Sequence, residues 1–202
     1  MNWTDKIQVY NEDCMNIMSR YPDDYFDLAI VDPPYGLGIS VNPVRQKHTK
    51  KNWDTQIPKN KYFDELQRVS KNQIIWGGNY FDLPPTQGFL IWDKKQPHDF
   101  SLAMCEYAWT SFQKPAKIFY YSVLKEKNKI HPTQKPIKLY NWILENYAKP
   151  DFKILDTHLG SGSHAIACHY YGCELVAAEL DSEYYDASLK RFKQQTAQIK
   201  LF

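Results

Sequence analysis

A chain of 202 residues, 43% hydrophobic and 15% aromatic, can bury one sizeable core with at most a small insertion beside it. Its 25 Lys and Arg offset 23 Asp and Glu to a formal charge of +2, which excludes a uniformly basic nucleic-acid binder and confines any such footprint to a local patch. No apolar run is long enough for a bilayer and nothing reads as a signal peptide, so Cys14, Cys105, Cys168 and Cys173 are expected as reduced thiols in a cytoplasm, with no membrane partner.

Residues 7 to 10 (IQVY) read as a strand and 14 to 20 as a short helix. Residues 26 to 32 form an apolar strand that runs into Asp32-Pro33-Pro34-Tyr35. An acid, two residues without N–H groups and an aromatic ring are more than a turn requires. Residues 39 to 60 then break the periodicity with a basic, proline-interrupted stretch, a long loop of the kind that carries function in a compact domain. "YFDELQRVS" is helical and "QIIWGG" is a buried strand stopped by Gly77 and Gly78. "GFLIWDK" and "KIFYYSV" are further strands, with a short helix expected between them around Leu102 to Tyr107.

After the turn "IHPTQKP" comes the amphipathic helix "IKLYNWILENYA". "KILD" and "ELVAAELD" are strands flanking a glycine loop and its helix, and a last helix runs from Ser182 to Ala197. Alternating strands and helices predict a mostly parallel sheet covered on both faces. Cys168, His169 and Cys173 offer ligand atoms for a metal, but no fourth ligand completes a zinc pattern, and packing is the expected role; no metal is expected.

The loop after "KILD" reads Asp156-Thr157-His158-Leu159-Gly160-Ser161-Gly162-Ser163. Gly160 and Gly162 allow close backbone approach to a ligand, and Ser161 and Ser163 can cap the helix that follows. Glu179, 19 residues after Gly160, stands at the end of the next strand, where an acid in nucleotide-binding α/β folds accepts hydrogen bonds from ribose hydroxyls. A third glycine for a pyrophosphate and the lysine of a P-loop are both missing. A nucleoside without phosphates fits better, and S-adenosylmethionine is the candidate. If "KILD" and "LAIVD" are neighbours, their ends flank the switch point at which open α/β sheets bind ligands.

With "DPPY" early, "HPTQKP" at 131 to 136 and the glycine loop late, the chain resembles the amino-methyltransferases of DNA, in the order of their beta group. "IIWGGNYF" and "IWDK" are similar to small enzymes of phage or prophage type, which implies the cytoplasm of a bacterial cell. The resemblance spans nearly the whole chain and implies a single methyltransferase domain over 1–202, with 39–60 as a DNA-contacting insertion. The implied fold is Rossmann-like and S-adenosylmethionine-dependent, a mostly parallel α/β sheet with helices on both faces and an antiparallel edge strand. One departure stands in the donor loop: the family's common form is DPFxGSGT, and His158 replaces the aromatic that packs against the donor.

The resemblance implies that Asp32 and the Pro33 carbonyl accept the two hydrogens of an exocyclic amine, that Pro33 and Pro34 lock this backbone, and that Tyr35 stacks on a base extruded from the duplex. Around the donor it implies Asp13 and Cys14 near the adenine, Thr133 and Lys135 at the methionine carboxylate, Glu179 at the ribose, and Asp156 at the amino group or ordering the loop. Cys14 reads equally well as a small core residue. Asn79 and Tyr80 are candidates for the base pocket, while Trp76, Trp92 and Trp109 read as core. Arg45, Lys47, Lys50 and Lys51 in the long loop, and Lys125, Lys127 and Lys129 before His131, are candidate phosphate contacts.

The implied activity is methylation of adenine N6 in DNA. Cytosine N4 is the nearest alternative, more often associated with Ser in place of Asp32, and a catalytically silent binding subunit is the alternative from another class. The chain has no room for a recognition domain of normal size. Specificity therefore comes from the loops, from a second subunit (a homodimer or another partner), or is short.

Overall fold

The computed structural model describes residues 1–38, 56–97, 103–126 and 128–197. Within them one sheet of eight strands forms: β1 (Ile7–Tyr10), β2 (Leu28–Val31), β3 (Gln73–Trp76), β4 (Phe89–Asp93), β5 (Cys105–Thr110), β6 (Lys117–Tyr120), β7 (Lys153–Asp156) and β8 (Glu174–Ala178). Their order across the sheet is β1-β8-β7-β2-β3-β5-β4-β6. From β7 the chain winds outward to β8, and from β2 it winds the opposite way to β3, so the switch point lies between β7 and β2.

Side-chain alternation assigns each strand residue to a layer. Leu28 and Ile30, Ile74 and Trp76, and Leu175 and Ala177 point into a core shared with Leu139, Ile143 and Leu144 of α3 (Ile137–Tyr147) and Ala165 and Ile166 of α4 (Ser163–Tyr171). Phe192 of α5 (Ser182–Thr196) closes that side. Ala29 and Val31, Ile75, and Val176 and Ala178 face the other layer, built on α1 (Cys14–Met18) and α2 (Asn60–Val69). In α2 the stripe Tyr62, Phe63, Leu66 and Val69 recurs at helical spacing and is buried.

Two expectations are corrected. The segment read as a short helix around Leu102 to Tyr107 contains the start of β5, Leu102 itself lying outside the described residues. And the antiparallel strand is this interior β5, paired with β3 and β4, whereas the edge strands β1 and β6 both run parallel to their neighbours. Only residues 94–104 separate β4 from β5, too few for the helical crossover a parallel return needs, so β5 pairs antiparallel to β4. Of the loop expected over 39–60, residues 39–55 lie outside the described residues, and with them Arg45, Lys47, Lys50 and Lys51; α2 already begins at Asn60.

Candidate active site

The strands that run parallel end on one rim, and antiparallel β5 begins there, since Cys105 and Glu106 pair with Asp93 and Trp92 at the end of β4. Beside that rim opens a cavity of about 620 Å³, within the range of small-molecule sites. Its wall carries Asp13, Cys14, Asp32, Pro34, Thr133, Lys135, His158, Gly160, Ser161 and Glu179 of the sequence-derived candidates. Pro33, Tyr35, Asp156, Gly162 and Ser163 do not line it, and neither does Asn79, exposed on a 3₁₀ turn (Gly78–Tyr80). Lys125, exposed, borders a separate groove with Lys190 and Arg191 of α5; Lys129 is half-buried, and Lys127 lies outside the described residues.

Backbone ties shape the glycine loop. Gly162 has φ +74, and a Cβ there would meet Ser188 at 3.1 Å, so the loop needs glycine both for its dihedral and for the closeness of α5. Glu179 accepts hydrogen bonds from the amides of Gly160 (2.7 Å) and Asp181 (3.0 Å). Burial nevertheless pushes its carboxyl up to about 7, against the pull of those amides. Asp156 orders the loop from beneath, accepting from the His158 amide at 3.0 Å and from His164 Nδ1 at 2.8 Å. His164 is fully buried and stacks on Tyr140 with centroids 4.6 Å apart. Arg191 donates to the Ser161 carbonyl (2.8 Å) and Ser163 Oγ (2.9 Å), and Ser163 Oγ donates in turn to the Lys135 carbonyl (2.7 Å).

His158, where the family carries an aromatic, sets its ring edge-on to Tyr62 and shares a hydrogen bond with Thr157 Oγ1 at 2.9 Å. Burial lowers its pKa to about 4, outweighing Asp156 and Asp13, so the imidazole is neutral and can lie against a cationic ligand without repulsion. Burial likewise pushes the Cys14 thiol up to about 12, with Asp13 adding to it.

Past the end of β2, Asp32 is held from two sides. The Tyr35 hydroxyl donates to Oδ1 at 2.5 Å, and the Lys135 ammonium lies 2.5 Å from Oδ2. The same ammonium is 3.0 Å from Glu106 Oε2, and Glu106 Oε1 is paired with Lys94 at 2.7 Å. Lys135 is buried to 3% exposure, its charge 5.3 Å from the Trp76 ring centroid. Thus the lysine expected at a donor carboxylate has its charge engaged by two carboxylates of the protein. Burial raises the Asp32 pKa, with Glu106 adding to the rise and Lys135 and Tyr35 opposing it. Burial would raise Glu106 too, but Lys135 and Lys94 outweigh it and bring that carboxyl down to about 2.

Tyr35 packs its ring on Tyr80, with centroids 5.1 Å apart and planes inclined by 19°, and Phe81 meets it edge-on. Beneath it Gly77 adopts φ +70, and a Cβ there would lie 2.1 Å from Tyr35 Cε1. Trp76, Trp92 and Trp109 are buried, as expected. Sequence reasoning missed Glu106, Lys94, Tyr140, His164 and Arg191 as parts of the site. Gly77 is legible in the sequence only as the stop of a strand.

The cavity wall combines carboxylates (Glu12, Asp13, Asp32, Glu179 and Asp181) with the apolar surfaces of Leu159, Leu180 and Tyr184. That set suits a positively charged ligand with an aromatic ring and hydroxyls, and disfavours one bearing phosphates. Among the described residues, no group of His, Cys, Asp and Glu is arranged to hold a metal ion.

Comparison with known proteins gives the same picture. Residues 75–190, more than half of the chain, match a family described as DNA methylase, of N6 and N4 type. The matched span takes in the glycine loop and begins after Asp32. Over 95% of its length the chain is 24% identical to the type II methyltransferase M2.MboI of Moraxella bovis, of which 89% is covered. Among solved structures, the M1.HpyAVI–SAM complex superposes with a TM-score of 0.63 at 20% identity, covering 92% of this chain and 99% of that one. The PvuII DNA methyltransferase, titled cytosine-N4-specific, gives 0.65 at 13% identity, covering 96% and 93%. These two likenesses are of fold.

Proposed function

Because the chain belongs to the family of DNA methylases that act on adenine N6 or cytosine N4, we infer that it methylates adenine N6 in DNA with S-adenosylmethionine as donor. One observation carries this reading: the Asp32 carboxylate past the end of β2 and the Gly160 loop past the end of β7 open into the same cavity across the switch point. The carboxylate-rich wall fits the donor, whose amino group and sulfonium are cationic and whose ribose offers hydroxyls to Glu179. Asp13, Cys14 and Thr133 all line the cavity, and the family resemblance assigns the first two to the adenine and Thr133 to the amino-acid end. Asp32, rather than serine, favours adenine over cytosine on the same ground.

Bound there, the donor supplies an electrophilic methyl group on a sulfonium, and the electron pair of the broken C–S bond stays with sulfur. The chain's residues prepare the nucleophile. The exocyclic nitrogen of adenine is poor because its lone pair is conjugated with the ring. Asp32 and the Pro33 carbonyl each accept one amine hydrogen, which draws the nitrogen toward tetrahedral geometry and frees the lone pair. Two prolines hold that carbonyl fixed, and preorganised dipoles of this kind supply the larger part of catalysis. Tyr35 provides the ring for the extruded base. On the DNA side, Arg45, Lys47, Lys50, Lys51, Lys125, Lys127 and Lys129 are candidates for phosphate contacts, and Asn79 for a contact near the base.

The test is transfer of a tritiated methyl group to plasmid DNA from a host without DNA methylation, followed by identification of the modified base. N6-methyladenine is expected, and Asp32→Ala should abolish transfer while donor affinity by calorimetry falls only modestly. N4-methylcytosine would replace the adenine reading. Near wild-type transfer by Asp32→Ala would overturn the mechanism.

A further inference from the structure

Resting on that reading of Asp32, a difficulty arises at its carboxylate. Whichever Asp32 oxygen receives the amine hydrogen already carries a partner, Tyr35 on Oδ1 and Lys135 on Oδ2. The ammonium, 2.5 Å away, neutralises the charge that makes the oxygen a strong acceptor. Yet Lys135 is too deeply buried to leave for solvent, and a buried charge stripped of its partner is among the most destabilising changes a protein can undergo.

We propose that Glu106 is a positioning residue for methyl transfer, a second seat onto which the Lys135 ammonium shifts when the target amine takes its place on Asp32. Three observations support this. Glu106 Oε2 lies 3.0 Å from the ammonium, within reach of a small side-chain movement. That oxygen is buried, and its contact with the ammonium is not aligned as a hydrogen bond, so its capacity for an ammonium donor is not yet filled. And Glu106 is itself fixed, because Lys94 holds its Oε1 at 2.7 Å. Asp32, Lys135, Glu106 and Lys94 together sum to zero charge, so the shift moves a cation between two anions without creating a buried net charge.

Titratable and charged groups face Asp32 from several elements. Lys135 stands before α3, Glu106 on β5, Tyr35 on the turn after β2, Tyr140 on α3 and Tyr62 on α2, with Lys94 behind Glu106. The charge of Glu106 opposes ionisation of Asp32, while Lys135 and the Tyr35 hydroxyl favour it. If Asp32 must be ionised to accept the amine, transfer is lost as pH falls through its pKa.

Glu106→Gln leaves a neutral amide in the second seat and holds Lys135 on Asp32. Single-turnover transfer should slow by about tenfold or more, the loss expected for a charge-assisted hydrogen bond. Its acid limb should move to lower pH, because the removed charge had opposed ionisation of Asp32. Donor affinity should stay near wild type, since Glu106 does not line the donor cavity. Adding Lys135→Gln removes the trapped cation, and at alkaline pH the double variant should be faster than Glu106→Gln alone. Should Glu106→Gln fail to fold, Glu106→Asp, which keeps the charge but withdraws it from Lys135, should slow transfer in the same direction.

A wild-type rate with an unmoved acid limb, slower transfer with an unmoved acid limb, or a double variant no faster than the single would each overturn the second seat. Asp32→Asn separates this from the underlying reading. If that variant still transfers methyl groups, the acceptor role fails. If it is inactive while Glu106→Gln behaves as wild type, only the seat fails.

Discussion

The Tyr35 hydroxyl donates to Asp32 Oδ1 at 2.5 Å, so the residue expected to offer only a flat ring also has a polar partner in the site. Tyr35→Phe keeps the ring and frees one acceptor oxygen. Transfer should persist within about tenfold of wild type, consistent with loss of one hydrogen bond to a charged group. The lost hydrogen bond favours ionised Asp32, so the acid limb of the rate profile should move to higher pH. Tyr35→Ala should lose about a hundredfold, the upper range for stacking a base on an aromatic side chain. Single-turnover rates across pH distinguish the variants; equal losses for Phe and Ala would give the hydroxyl the dominant role.

Gly77 supports that ring. Its φ is +70, and a methyl added there would sit 2.1 Å from Tyr35 Cε1, so Gly77→Ala must both strain the backbone and push Tyr35 aside. The left-handed conformation alone costs about 1–2 kcal/mol for an L-residue. The melting temperature should fall and transfer should drop toward that of Tyr35→Ala. Donor affinity should hold, because Gly77 is not part of the donor cavity. Undiminished transfer would show that Tyr35 works from another position.

Glu179 links protonation to stability, and to donor binding if it meets the ribose. Its ordinary value of 4.5 is raised to about 7 by burial, ahead of the two amides that lower it. A carboxyl whose folded pKa is raised contributes stability that is complete below 4.5 and is lost as pH rises through about 7. Donor-free protein should therefore lose melting temperature across that window. A donor whose hydroxyls bind the ionised carboxylate should bind more tightly over the same window. Glu179→Gln should flatten both curves and weaken donor binding by about tenfold at high pH, as for a lost charge-assisted hydrogen bond. Calorimetry and thermal melts check this; parallel curves for both proteins would remove Glu179 from the ribose site.

The DNA side is tested through salt. If Lys47, Lys50 and Lys51 each meet a phosphate, replacing all three with alanine should flatten the slope of log affinity against log salt by roughly two to three units, at about 0.9 per contact on duplex DNA. Donor affinity should not change. Parallel slopes for wild type and triple variant would direct the search to Lys125, Lys127 and Lys129.

The parts of the site that the sequence makes legible are those built from consecutive residues. Asp32 to Tyr35 and Asp156 to Ser163 each combine strand, turn and chemistry within one short stretch, and the continuous apolar residues of "LAIV" and "KILD" are enough to bury the strands that present them. Glu106 has no such context. It is the second residue of β5, and the pairing of that strand with β3 and β4, distant in sequence or joined by a short connection, decides its conformation. Its partner Lys135 comes from another segment altogether. The direction of β5 is obscured for the same reason, since an interior position in the sheet is set by neighbours the local pattern does not name. His158 shows the reverse: the sequence exposes the departure, and burial in the fold explains why a neutral imidazole can stand there.

Lys135 occupies both halves of the site at once. Its carbonyl accepts from Ser163 Oγ at the start of the helix behind the donor loop, while its ammonium rests on Asp32. A single residue thus touches the donor-loop helix and Asp32, and any coupling between donor and DNA obeys thermodynamic reciprocity. Whatever factor donor occupancy adds to the affinity for DNA, DNA must return to the affinity for donor. The order in which the two arrive can change the rate of assembly, but not the free energy of the ternary complex.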